Sequence, residues 1–144
     1  MNKMISVTIP VEPKGQKRVS GGKFKHRFKD GVQRSREQIL LYYLNASPEK
    51  PSAPLTGALR LRVKAYFARP KAHYGSKKKV PYLKADAPLF HTSTPDADNI
   101  AKMLQDVMNG LYFEDDRQIV ILNVMKAYTD NGEGPRWELT LDEV

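Results

Sequence analysis

The sequence predicts an α+β fold, a small mixed sheet of about four strands in the order β-α-β-α-β-β with two helices packed on one face. Three patterns lead there. Ile5 to Ile9 and Leu59 to Phe67 alternate apolar and polar residues, as half-buried strands do. Ile100, Met103, Leu104, Val107 and Met108 recur at three- and four-residue spacing, an amphipathic helix. Ile119 to Leu122 is a short apolar run that then alternates, a third strand. The chain has 144 residues, the length of one domain able to bury a core without disulfides. Residues 1–144 therefore read as a single domain with basic loops near 14–36 and 69–94.

Taken in order, the first strand presents Ile5, Val7 and Ile9 on one face and ends at Pro10. A polar stretch follows, with Lys14, Lys17, Arg18, Lys23, Lys25, Arg27, Lys29, Arg34 and Arg36 against Asp30 alone, and Ser20-Gly21-Gly22 as a turn. Such a stretch is either a phosphate-gripping arm or a solvated loop; Phe24 and Phe28 among the cations favour nucleic acid. From Ser35, the residues Ile39, Leu40, Tyr43 and Leu44 share a helix face, and Ser47-Pro48 ends it. The strand from Leu59 to Phe67 has a cationic outer face of Arg60, Arg62 and Lys64. Arg69 to Phe90 reads as a long irregular segment broken by Pro70, Gly75, Pro81 and Pro88, with Lys77, Lys78 and Lys79 facing DNA. The second helix starts near Asp96 or Asp98 and stops near Asn109-Gly110. Gln118 to Tyr128 forms the next strand, Asp130-Asn131-Gly132 a hairpin turn, and Arg136 to Leu141 the last strand, with Trp137, Leu139 and Leu141 on its buried face.

Composition narrows the chemistry. There is no cysteine, which excludes thiol catalysis, disulfides and thiolate zinc sites and fits a reducing cytoplasm. No apolar run is long enough for a membrane span, and the first residues lack a secretory h-region, so a cytoplasmic location is expected. The net charge of +8 points to an anionic partner. Within this basic chain lies an acidic knot: Asp96, Asp98, Asp106, Glu114, Asp115 and Asp116 against Lys102 alone.

Carboxylates that repel one another are commonly held together by a divalent cation. If the turn at Asp115-Asp116 folds back on the helix start, carboxylates from both converge and hold Mg²⁺ or Mn²⁺ through oxygen ligands. The competing interpretation is plain: an aspartate before a helix is a common N-cap, and Asp98–Lys102 is an ordinary i,i+4 pair worth about 0.3–0.5 kcal/mol. His73 and His91 have no partner at ligand spacing; His91, just ahead of Asp96, is the histidine placed for a substrate contact.

Pro95-Asp96-Ala97-Asp98-Asn99 with Lys102, then Asp115-Asp116-x-Gln118-Ile119-Val120 and Lys126, resembles the RusA family of Holliday junction resolvases. The resemblance is close over the last third of the chain. It implies a Mg²⁺-dependent, homodimeric endonuclease, phage or bacterial in origin, that nicks branched DNA symmetrically, with no organic cofactor and no membrane partner. It further implies that Asp96, Asp98 and Asp116 bind metal, that Asp115 shares the site, and that Lys102 stabilises the phosphate or positions the attacking water. Some members place arginines immediately before the first aspartate. This chain has His91-Thr92-Ser93-Thr94 there, and Lys77 to Lys79 are expected to supply those contacts. Two other interpretations stay open: a non-catalytic basic DNA- or RNA-binding module, and a related nuclease acting on flaps or forks.

Overall fold

The computed structural model describes residues 3–16, 31–130 and 132–144. Its centre is a four-stranded sheet in the order β1-β6-β2-β5, where β1 is Ile5–Ile9, β2 Leu59–Phe67, β5 Ile119–Tyr128 and β6 Arg136–Glu143. The pairs β1–β6 and β6–β2 are antiparallel, and β2–β5 is parallel. Helix α1 (Gly31–Ala46) links β1 to β2, and helix α2 (Ala97–Met108) lies between β2 and β5. Both crossovers travel the same way across the sheet. The right-handed sense that such connections keep therefore puts both helices on one face, where they pack against each other. The α+β class with two helices and a mixed sheet is as the alternation and helical spacing predict.

The core is the layer between helices and sheet. Leu59, Leu61, Val63, Ala65 and Phe67 of β2 and Trp137, Leu139 and Leu141 of β6 are buried under Leu40 and Leu44 of α1 and Ile100, Met103, Leu104 and Met108 of α2. Tyr112 is fully buried beyond the end of α2 and donates its hydroxyl to the Leu44 carbonyl at 2.6 Å, tying the two helices together. Gly110 has φ +81° and stops α2 as expected of a C′ glycine.

Three expectations need correction. The last two strands do not form a hairpin: β2 lies between β5 and β6. Two parallel strands joined by a helix leave a slot between β1 and β2, and the alternating face of β6 fills it; the glycines after Asp130 allow a reversal without choosing the strand met afterwards. Asn131, inside that turn, lies outside the described residues. Helix α1 (Gly31–Ala46) already includes residues ahead of Ser35, because Gln33 is buried two turns before Leu40 and its amide donates to Glu37 Oε1 at 3.1 Å. The segment 69–90 is not irregular throughout: a 3-10 turn (Lys71–His73) leads into a hairpin of β3 (Tyr74–Lys77) and β4 (Val80–Leu83). Its turn residues Lys78 and Lys79 have φ of 51° and 64°, a geometry usually made by Asn-Gly, so the sequence carries no turn signal there. Gly75 fits because the Tyr82 ring crosses it; a Cβ there would lie 2.5 Å from that ring.

The cationic outer face of β2 is matched by β6. Arg60 makes two hydrogen bonds to the Asp142 carboxylate, 3.0 Å from Nε and 2.5 Å from Nη2. Lys64 stands opposite Glu138 in the sheet register. Arg136 pairs with Glu138 and Glu133 while lying 4.1 Å from the centre of the Tyr66 ring. Carboxylates thus offset most of the cations on that face, and Arg62 stands opposite Thr140.

Candidate active site

The acidic residues fall on two elements that face each other. On α2, Asp98, Lys102 and Asp106 are spaced four residues apart and so lie along one stripe, opposite the buried stripe. Lys102 Nζ stands 4.0 Å from Asp106 Oδ2, so the ion pair on this helix runs toward its C-terminal end. Asp96 occupies the N-cap position, yet its side chain makes no capping hydrogen bond. The ordinary role of an aspartate at a helix start is therefore not the one Asp96 plays.

The second element is the 3-10 turn Asp116–Gln118 ahead of β5. Asp115 accepts from the Arg117 N–H at 2.9 Å. Gln118 Oε1 accepts from the N–H groups of Glu114 and Asp115 at 2.8 and 2.9 Å, closing a capping box. Gln118 Nε2 donates to the carbonyls of Leu55 and Gly57, both at 3.0 Å, and pins the turn to the entry of β2. Asp116, half-buried, hydrogen-bonds to Asp115.

The charges register this arrangement. The Arg117 N–H holds the Asp115 carboxyl below the usual carboxylate range. Asp116 is pushed the other way, first by burial, then by its hydrogen bond to Asp115 and the negative charges of Asp115 and Asp106; Lys102 partly offsets these. Asp116 therefore lies within electrostatic reach of the Asp106–Lys102 stripe. Among the described residues, no three histidine, aspartate or glutamate side chains stand close enough together to hold a metal ion by themselves.

Two residues to which the sequence analysis gave no role fix the approach to α2. Lys126 Nζ, from β5, donates to the carbonyls of Ser93 at 2.6 Å and Pro95 at 2.8 Å, anchoring the loop that delivers Asp96. Gly15 lies on the helix start: a Cβ there would stand 2.9 Å from Pro95 Cβ and 3.0 Å from Asn99 Cβ. The next residue, Gln16, donates its backbone N–H to the Asn99 carbonyl at 3.3 Å and its side-chain amide to Asp106 Oδ2 at 2.6 Å. The segment carrying Lys14 thus runs along the acidic helix. Only the quoted Lys126 motif position hinted at the first of these, and a glycine within a basic stretch gave no hint of the second.

Of the expected DNA-contacting residues, Lys77, Lys78 and Lys79 are exposed at the β3–β4 turn, and Lys14 is exposed beside α2. Lys17, Arg18, Lys23, Lys25 and Arg27 lie outside the described residues. His91 is packed rather than presented. Its ring stacks on Phe67 at 3.8 Å, its N–H donates to the Lys126 carbonyl, and its Nδ1 is buried without a partner. Burial, and then the positive charge of Lys126, hold its pKa below the ordinary histidine value. The unfolded ring takes up a proton as pH falls through about 6.5, and the folded ring does so only lower down. His91 thus contributes stability above about pH 6.5 that is lost as pH falls toward the folded pKa. His91→Phe keeps the stack and removes this dependence. Melting temperatures of wild type and variant should diverge between about pH 7 and 5; parallel curves would show that the ring titrates freely.

Carboxylates on α2 and on the turn before β5 with a lysine beside them, inside a chain of net charge +8, are a charge arrangement suited to cutting nucleic-acid backbones. The sequence pattern described as Endodeoxyribonuclease RusA matches residues 10–141, and the chain belongs to that family of nucleases. It is 40% identical over 102 residues to a Bacillus subtilis (strain 168) protein called YqaN and described as uncharacterized, covering 70% of this chain and 68% of that one. It is also 46% identical over 56 residues to the crossover junction endodeoxyribonuclease rusA of Lactococcus phage r1t, covering 38% of this chain and 40% of that one. Among the described residues no helix is long and apolar enough to cross a membrane.

Proposed function

We propose that this protein is a Mg²⁺-dependent endodeoxyribonuclease that resolves four-way (Holliday) DNA junctions by paired, symmetric nicks. The observation that carries this reading is Asp116: hydrogen-bonded to Asp115 in the turn before β5, it lies within electrostatic reach of Lys102 and Asp106 of α2 in a protein of the RusA family. The phage relative's name supplies the branched substrate.

The donor chemistry fits the metal, while among the described residues no three acidic side chains stand close enough to hold it without waters or substrate phosphate. Mg²⁺ is usually held by one or two carboxylates, with waters and substrate phosphate completing its shell. Hard carboxylate oxygens are what these elements offer, and the Asp116 pKa is raised first by burial and then by its hydrogen bond to Asp115 and the charges of Asp115 and Asp106. Asp96, Asp98 and Asp116 would hold the ion, and Asp115 shares the site while bracing the turn. When bound, the ion would supply Lewis-acid polarisation of the phosphodiester and would lower the pKa of water held there. Lys102 sets its ammonium where charge develops on the phosphate oxygens. Lys126 keeps the Asp96 loop in place.

Paired nicks need two sites, and a two-fold dimer provides them. The surface favouring self-association is the open edge of β5. Its second half is covered, because Tyr128 donates its N–H to the Leu89 carbonyl and His91 its N–H to the Lys126 carbonyl. Its first half presents Val120, Ile121 and Leu122, which are 58%, 39% and 44% exposed and carry no charge. Apolar, unpaired edges of this kind invite strand pairing. Ile121→Lys is expected to convert a dimer into a monomer by light scattering; an unchanged dimer mass would place the interface elsewhere.

DNA contact by the β3–β4 turn is supported by strain. Lys78 and Lys79 both hold a left-handed backbone that side-chain-bearing residues disfavour. Exchanging the pair for Asn-Gly (K78N, K79G) should raise stability by about 1 kcal/mol. The same change should lower DNA affinity and reduce the salt slope of binding by about two. Undiminished affinity would make these lysines a solvated turn.

The test of function is cleavage of a synthetic four-way junction beside a linear duplex and a flap, with and without Mg²⁺. Paired nicks in the junction alone are expected, and only with Mg²⁺. Preferential cutting of flaps would change the substrate; binding without any cutting would leave a DNA-binding module.

A further inference from the structure

A groove of about 510 Å³ opens beside Asp96, within the roughly 300–1,000 Å³ range of ligand sites. Lys14 and Arg36 line it together with Asp96, and with Gln16, Thr94 and Asn99 as neutral polar groups. The cations come from separate elements, Arg36 from α1 and Lys14 from the segment after β1. Arg36 is half-buried, and its Nη1 donates to the Gly15 carbonyl at 2.9 Å. That bond spends one of the five guanidinium N–H donors and fixes the plane of the fork. Gly15 is itself held, because its close approach to Pro95 and Asn99 leaves no room for a side chain. The arginine is thus oriented before any ligand arrives, which lowers the ordering cost of binding. Lys14 is exposed and adds a point charge.

We propose that Arg36 and Lys14 hold a DNA phosphodiester in this groove, which makes the first turns of α1 part of the nucleic-acid surface and sets the strand's register beside Asp96. This rests on the nuclease reading above for its substrate. The guanidinium fork matches two phosphate oxygens, and Lys14 neutralises the same or the neighbouring phosphate. Asp96 in the same lining opposes a bare anion, so the phosphate is assigned to Arg36 and Lys14. Arg36 is a positioning residue in this scheme, since it places the strand and touches no reacting atom.

The test is the salt dependence of binding, read by fluorescence anisotropy on a labelled four-way junction and a labelled duplex. It is run in EDTA across about 50–300 mM KCl. Arg36→Gln and Lys14→Gln should each reduce the slope of log affinity against log salt by about one, and the double variant by about two, on both DNAs. Arg36→Lys should keep the slope while losing several-fold in affinity, because the charge stays and the fork is lost. A wild-type slope in both glutamine variants would overturn the proposal, as would weaker binding by Arg36→Gln at unchanged slope, which would reduce Arg36 to a brace for Gly15. Lys14 makes no hydrogen bond that holds the backbone among those described, so its variant decides the matter even if Arg36→Gln unfolds. Because no divalent ion is present, the slopes stand whether or not the wild-type protein cuts junctions, and failure of the cleavage assay is read separately.

Discussion

Asp116→Asn is expected to reduce single-turnover junction cleavage by about a thousandfold or more while leaving junction binding intact or tighter. The substitution keeps the shape of the side chain and removes its charge. It largely spares the turn, because the hydrogen bonds from Arg117, Glu114 and Asp115 N–H and from Gln118 remain, and an asparagine amide can still hydrogen-bond to Asp115. Tighter binding follows from removing a negative charge where a phosphate must approach. Asp115→Asn is expected to be milder, since an asparagine still accepts the Arg117 N–H. Lys102→Ala should also lose rate with binding retained. Cleavage by Asp116→Asn at the wild-type rate would leave this carboxylate as surface decoration.

Leu104→Ala should destabilise the protein by about 2–5 kcal/mol, read from urea unfolding with an unchanged m-value. Leu104 is fully buried in the cluster that α2 shares with the sheet. Its removal leaves a cavity directly beneath the helix that carries Asp98, Lys102 and Asp106. The native fraction that remains should cleave normally, because the truncated face is the one opposite the charged stripe. A loss under about 1 kcal/mol would mean that α2 is not clamped to the core and that its carboxylates have no fixed position.

Much of this fold was legible where burial imposes a period. The strict alternation of β2 and the apolar stripe of α2 gave those elements nearly to their ends, and Gly110 marked the helix stop. What the residues did not reveal depended on partners distant in sequence. Nothing local in β6 tells it to enter between β1 and β2 rather than pair with β5. The β3–β4 hairpin escaped notice because its turn uses two lysines where glycine or asparagine would announce it. At the site, the residue types were visible but their division of labour was not. Gln118 is a staple, Asp115 a cap and Lys126 an anchor for backbone carbonyls. Those roles come from hydrogen bonds to main-chain groups that no spacing rule specifies. Arg36 looked like one cation among many until α1 set it across from Asp96.

Crystals soaked in Mn²⁺ and examined at the manganese absorption edge locate the cation on which the proposed chemistry depends. An anomalous peak between the carboxylates of α2 and Asp116, beside Lys102, is the expected result, and it should vanish in Asp116→Asn. A peak remote from both elements, or one that persists unchanged in that variant, would contradict a shared metal at this site.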